Sequence, residues 1–190
     1  MLNWFRFFKK RAVLSPVVEE YIQMHSVPVP YTVAIDSLRL VFVCAEAEGV
    51  ILKKLAAVPI DCGAVAVSDV LSLNFESCES RKIQASKLEA FLKAASGAVL
   101  MCSDAEFPMR ALNRTLQSLC QTPVRNRVVD YVRWKRELSV RYGMLLPDVG
   151  FRCCQLNSPL RRALRDAEEY LRLTKRMTHS CRPILSDLLP

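Results

Sequence analysis

The segment Leu40-Val41-Phe42-Val43-Cys44-Ala45 is apolar at every position. A strand with one wet face alternates apolar and polar side chains, so an unbroken run of this length specifies a strand covered on both faces. A chain that contains it must place a layer on each side of a sheet. Ile60 to Val67 and Val70 to Phe75 read as two further strands, with Ser68-Asp69 between them to close a tight hairpin. Ala98 to Met101 reads as a fourth. Helical signals follow: Ser86 to Ala95 has Ser86 as cap, Glu89 as capping-box partner and Gly97 as terminator. Phe107 to Leu119 carries Met109, Leu112, Leu116 and Leu119 at helical spacing, and Val128 to Leu138 also reads as helix. In Pro159 to Met177, a first-turn proline precedes one stripe of Leu160, Ala163, Leu164, Ala167, Tyr170 and Leu171. Strands first, then strands alternating with helices, predict an α/β fold, a mixed central sheet flanked by helices.

The 190 residues suit one domain with arms. Residues 1–36 read as an N-terminal arm, with a basic aromatic opening, a short helix around Val17–Met24 and the Pro28-Val29-Pro30 stretch. Residues 37–178 read as the domain and 179–190 as a C-terminal tail. Trp and Phe alternating with basic residues suit an interfacial membrane anchor. So short a segment fits better as a helix packed on its own domain or on a partner. No stretch approaches the ~18 apolar residues of a membrane span, and no secretory leader is recognisable, so a cytoplasmic protein is expected. The eight cysteines, 16 to 33 residues apart except for Cys153-Cys154, include no CxxC, and only His25 and His179 accompany them. They predict reduced, mostly buried thiols rather than a zinc site or disulfide framework. The excess of 27 Lys and Arg over 19 Asp and Glu, a formal +8, permits binding to nucleic acid or an acidic partner without requiring it.

The segments Cys44-Ala45-Glu46-Ala47-Glu48-Gly49, Ile60 to Val67, Met101 to Pro108, Asp130 and Arg162 to Ala167 occur in an order that resembles the DEDDh 3′–5′ exonucleases, the ribonuclease-H-like family that includes the proofreading (epsilon) subunit of bacterial DNA polymerase III. Leu38 to Gly49, containing Cys44-Ala45-Glu46-Ala47-Glu48-Gly49, is similar to that family's first strand, which ends in Asp-x-Glu-x-x-Gly. Ile60 to Val67 resembles its Ile-Gly-Ala-Val strand. Met101 to Pro108, followed by Leu112-Asn113-Arg114, resembles its Val-Gly-His-Asn-x-x-Phe-Asp block and the helix after it. Asp130 matches an Asp after a short apolar stretch, and Arg162-Ala163-Leu164-Arg165-Asp166-Ala167 resembles the closing His-x-Ala-Leu-x-Asp-Ala helix.

The resemblance implies a ribonuclease-H-like exonuclease fold, four carboxylates holding two divalent metals about 4 Å apart, and a histidine base. In this sequence the first Asp position is Cys44 and the third-motif Asp position is Pro108, while Arg162 or Arg161 stands for the histidine. Only Glu46 and Asp166 remain. Thiol, proline and guanidinium are poor substitutes for magnesium ligands or a base. The chain also looks shortened between Glu76 and Ser86, where the family usually has a substrate-holding loop. A rescued one-metal site would use Glu46, Asp166, Asp104 and Glu48; His25 and His179 are not at the base position.

The expectation is therefore a catalytically inactive exonuclease-like domain without a cofactor, acting as a binding or regulatory subunit. Family resemblance suggests a co-encoded partner with nucleotidyltransferase-like or CBS domains. The alternatives are a divergent 3′–5′ exonuclease using Mg or Mn and a non-specific nucleic-acid binder. Arg162, four residues before Asp166, is expected to reach into the vacated metal space and pair with Glu46 and Asp166, or else to form a solvated surface pair. Basic clusters run from Arg125 and Arg127 through Arg133, Lys135, Arg136 and Arg141, and from Arg161 through Arg165, Arg172 and Lys175 to Arg176. Within them Arg133, Lys135, Arg136, Arg161 and Arg165 are candidate nucleic-acid or partner contacts. Tyr131 and Trp134 are candidates for base stacking, although core packing is the commoner use of aromatics at this spacing.

Overall fold

The computed structural model describes residues 14–27, 29–30, 32–103, 106–142 and 158–177. Expectations placed on the aromatic opening, Asp104, Cys153-Cys154, His179 or the C-terminal tail lie outside these residues, as do the side chains of Arg141 and Arg176. The apolar run forms strand β1, Leu40–Glu48, which pairs antiparallel with β2, Ile51–Asp61, and parallel with β5, Val99–Cys102. Its side chains divide as a doubly covered strand requires. Val41, Val43 and Ala45 join a core with helices α1, Pro16–Met24, α2, Arg81–Ala95, and α3, Glu106–Leu119. Leu40 and Phe42 join the opposite core with α4, Tyr131–Tyr142, and α5, Pro159–Met177.

The six-stranded mixed sheet runs β3-β2-β1-β5-β6, with β4 also paired to β2. Here β3 is Ala64–Val65, β4 is Leu71–Asn74 and β6 is Val128–Asp130. The expected α/β architecture is thus present, with helices on both faces.

Strand β2 differs most from the expectation. Lys53-Lys54 and Pro59 hide it from a pattern search, because paired polar residues break alternation and proline argues against an interior strand. Glu46 pairs with Lys54 but Ala47 with Leu52, so Lys53 is an extra residue in a bulge. That insertion lets Leu52 and Leu55, three apart, face the same core. The Pro59 carbonyl accepts from the Ala66 N–H at 2.9 Å, which puts the missing Pro59 donor on the same side, toward the outer strand. At that point the outer strand leaves the sheet in a 3-10 turn, Val67–Asp69, between β3 and β4.

Ile60 to Val67 is therefore not one strand. It spans the end of β2, a turn at Cys62 and Gly63, and β3. Both central residues have positive φ, 49° and 73°, as a type I′ hairpin demands. Ser68-Asp69 lies in the 3-10 turn and closes no hairpin.

The helices show smaller corrections. α2 starts at Arg81 because Ser80, rather than Ser86, is the cap, its hydroxyl accepting from the Ile83 N–H at 3.4 Å. Val128 to Leu138 divides into the edge strand β6 and the start of α4, where Asp130 accepts from the Arg133 backbone N–H at 3.0 Å. α1 belongs to the body, since Val18 and Tyr21 are buried among α2 and α3 residues, so the division at residue 36 is not a division in packing. Tyr131 and Trp134 are core residues stacked with each other and close to Phe42 and Tyr170, which removes them as base-stacking candidates. Of the described cysteines, all reduced, Cys102 and Cys120 are buried and Cys44 partly so, whereas Cys62 and Cys78 are exposed.

Candidate functional site

The parallel strands β1, β5 and β6 end at one edge of the sheet, with Cys102 in register with Val43 and Asp130. Alternation along β1 carries Phe42, Cys44 and Glu46 to the face crossed by α5. α5 starts behind Ser158, whose hydroxyl accepts from the Arg161 N–H at 3.3 Å, and its stripe of Ala163, Ala167, Tyr170 and Leu173 is buried on that face. This packing fixes where Arg162 and Asp166 stand relative to β1.

Both oxygens of Glu46 have cationic partners. Arg162 Nη2 lies 3.1 Å from Oε1 and Lys54 Nζ lies 2.9 Å from Oε2. Asp166 is 5% exposed, and its oxygens are also engaged. Ser103 Oγ donates to Oδ2 at 2.6 Å, and Arg165 reaches Oδ1 through Nη2 at 2.8 Å and Nε at 3.2 Å. The expected contact from Arg162 thus goes to Glu46, while Asp166 takes Arg165, the residue beside it in sequence. Glu48 is a solvent-facing partner of Lys53 at 3.1 Å.

The degenerate positions divide between the faces. Cys44 packs against the α4–α5 core. Pro108 lies in the first turn of α3, the helix on the opposite core. The buried Cys102 thiol is pushed far above the ordinary thiol range, first by burial and then by nearby Cys44 and Asp130. It is a neutral neighbour of the site at physiological pH.

A dimetal centre does not fit this donor set. Magnesium takes carboxylate, carbonyl and water oxygens, and the four oxygens of Glu46 and Asp166 already face a guanidinium, an ammonium, a hydroxyl and a second guanidinium. A permanently charged arginine at the site repels a divalent cation. Among the described residues, no group of three or more His, Cys, Asp or Glu side chains is gathered as metal ligands are.

Of the candidate contact residues, Lys135 and Arg165 are engaged internally. Lys135 pairs with Glu169 at 2.8 Å, both 14% exposed, and stands 4.8 Å from the centroid of the Tyr131 ring. Arg133 makes an exposed pair with Glu137 at 3.3 Å, and Arg136 and Arg161 are exposed. Sequence reasoning missed Lys54 and Ser103. Lys54 is the cross-strand neighbour of Glu46, a relation visible only once β2 is recognised. Ser103 follows the last residue of β5, and nothing in its local sequence marks it.

No protein-family model matches the sequence, and no curated protein matches it. Among the described residues, no helix is long and apolar enough to cross a membrane.

Proposed function

We propose that this chain is a catalytically inactive relative of the DEDDh exonucleases, a ribonuclease-H-like domain retained as a binding or regulatory subunit for a protein partner. The single observation that carries the reading is the double neutralisation of Glu46 by Arg162 and Lys54. Where the resemblance calls for metal-binding oxygens, the chain supplies cations of its own. The organisation of the fold adds support. Cys44-x-Glu46-x-x-Gly49 closes β1, Met101 to Pro108 spans the passage from β5 to α3, Asp130 ends β6, and Asp166 lies buried on α5. The second motif, matched to Ile60 to Val67, adds no support, because that segment turns at Cys62 and Gly63.

The partner that best fits this reading is a co-encoded regulatory protein with nucleotidyltransferase-like or CBS domains. Among the described residues water activation has no agent in the site, because both carboxylates are paired and arginine holds the place of the base.

The test is a nuclease assay on labelled single-stranded DNA and RNA with Mg²⁺ or Mn²⁺. No cleavage above the level of a Glu46→Ala/Asp166→Ala double variant is expected. Metal-dependent cleavage by the unaltered chain that the double variant lacks would overturn the proposal and establish a divergent exonuclease.

A further inference from the structure

A second concavity lies at the other end of the parallel strands, against the start of β5 and the residues leading into β6, away from Glu46. Its volume is about 270 Å³, and it is walled by the end of α1, the α2–β5 turn and the 125–127 segment. Three basic side chains, His25, Arg125 and Arg127, line it, with no acidic residue among the described lining residues. His25 Nδ1 lies 2.8 Å from the Tyr21 carbonyl oxygen, a contact that requires a proton on Nδ1. Its other ring nitrogen, Nε2, is buried without a partner. A buried polar atom left unpaired is costly, and one in the wall of a cavity is positioned for a ligand. With Nδ1 donating, Nε2 accepts in the neutral ring and donates to an anion in the imidazolium, and the two guanidiniums beside it favour the anion.

The wall is fixed by hydrogen bonds of Tyr21 and Asn126. Tyr21 OH accepts from the Arg125 backbone N–H at 2.7 Å and donates to Asn126 Oδ1 at 2.5 Å, while Asn126 Nδ2 donates to the carbonyls of Ala95 and Ala98. The arginine side chains are therefore carried on a rigid junction. The opposite lip is apolar: Met24 is 56% and Val27 76% exposed, although both line the cavity.

The geometry points to a binding site for a small phosphate monoester, with the phosphate held by Arg125, Arg127 and His25, the last as an imidazolium whose Nε2 takes up a proton from solvent on binding, and a short apolar body covering Met24 and Val27. Two guanidiniums and an imidazolium match a dianion with three terminal oxygens better than a carboxylate with two. The volume falls below the roughly 300–1,000 Å³ of drug-sized pockets, which favours a compact metabolite over a nucleotide. This site does not depend on the exonuclease-like reading.

Phenyl phosphate is a suitable probe, with inorganic phosphate and benzoate as comparisons, titrated into the full-length chain at pH 7.5 while NMR follows the His25 Cε1–H resonance. The sequence has two histidines, so a His179→Gln variant assigns the signal. Phenyl phosphate is expected to give a saturable shift at lower concentration than either comparison. Arg125→Glu should weaken binding by about tenfold or more through loss of a charge-assisted contact and added repulsion. That change spares the backbone N–H used by Tyr21, and an unchanged melting temperature would verify the fold. Absence of a saturable shift at millimolar phenyl phosphate, or equal binding by folded Arg125→Glu, would overturn the site. Benzoate binding as tightly as phenyl phosphate would overturn the phosphate assignment.

Discussion

Arg162 and Glu46 are 23% and 34% exposed, a setting between a solvated surface pair and a fully buried one. Exposed pairs contribute at most about 1 kcal/mol, and burial raises both the attraction and the cost of desolvation. The Arg162 Nε is buried without a partner, so the guanidinium is not fully satisfied, and Lys54 continues to neutralise Glu46 if Arg162 is removed. These facts set a moderate expectation. Arg162→Ala should destabilise the fold by about 1 kcal/mol, and a cycle with Glu46→Ala should give a coupling of about 0.5–1 kcal/mol. Urea unfolding checks this through a lower midpoint at an unchanged slope. A loss below about 0.5 kcal/mol would mark Arg162 as an ordinary surface residue and remove the principal support for an internally neutralised site.

At the scale of elements, the two candidate caps of α2 make opposite predictions. Ser80 has the extended backbone of an N-cap and bonds Ile83 N–H, whereas Ser86 lies inside the helix and is exposed. Ser80→Ala should cost about 1 kcal/mol, while Ser86→Ala should be neutral or slightly stabilising because alanine is the better helix former. Melting of the two variants distinguishes them, and a larger loss at Ser86 would contradict this helix start. The same comparison shows what the sequence made legible. β1 has an unbroken apolar run and α3 and α5 have periods long enough to read, and the core faces of the two helices fall where their apolar residues predict. β2 was not legible, because its bulge changes the alternation at Lys53-Lys54 and its proline sits beside a break in the outer strand. β6 has only three residues and runs directly into α4, so its pattern merged with the helix. At the site, the position of Arg162 four residues before Asp166 suggested a shared partner. Side-chain reach assigned Arg162 to Glu46 and Arg165 to Asp166, which residue spacing alone does not settle.

For the whole molecule, a formal charge of +8 does not describe where cations are available, because Lys54, Lys135, Arg162 and Arg165 are paired with the protein's own carboxylates. The two cores impose another global property. They contain acids that must keep their protons for the chain to stay folded. Burial pushes the Cys120 thiol up to about 11 and raises Cys102, Tyr21 and Tyr131 above their usual ranges. In the unfolded chain thiols ionise near their ordinary value of roughly 8.5, so above that pH the unfolded state binds fewer protons than the folded state. The stabilisation is therefore fully present at neutral pH and is lost as pH rises. Cys120 contributes a slope of about 1.4 kcal/mol per pH unit between its unfolded and folded values, and Cys102 continues the loss beyond them. Urea unfolding from pH 8 to 11 should show a progressive fall in stability, with a flatter curve for Cys120→Ala than for the unaltered chain. Parallel curves displaced by a constant amount would show that Cys120 does not retain its proton in the folded state.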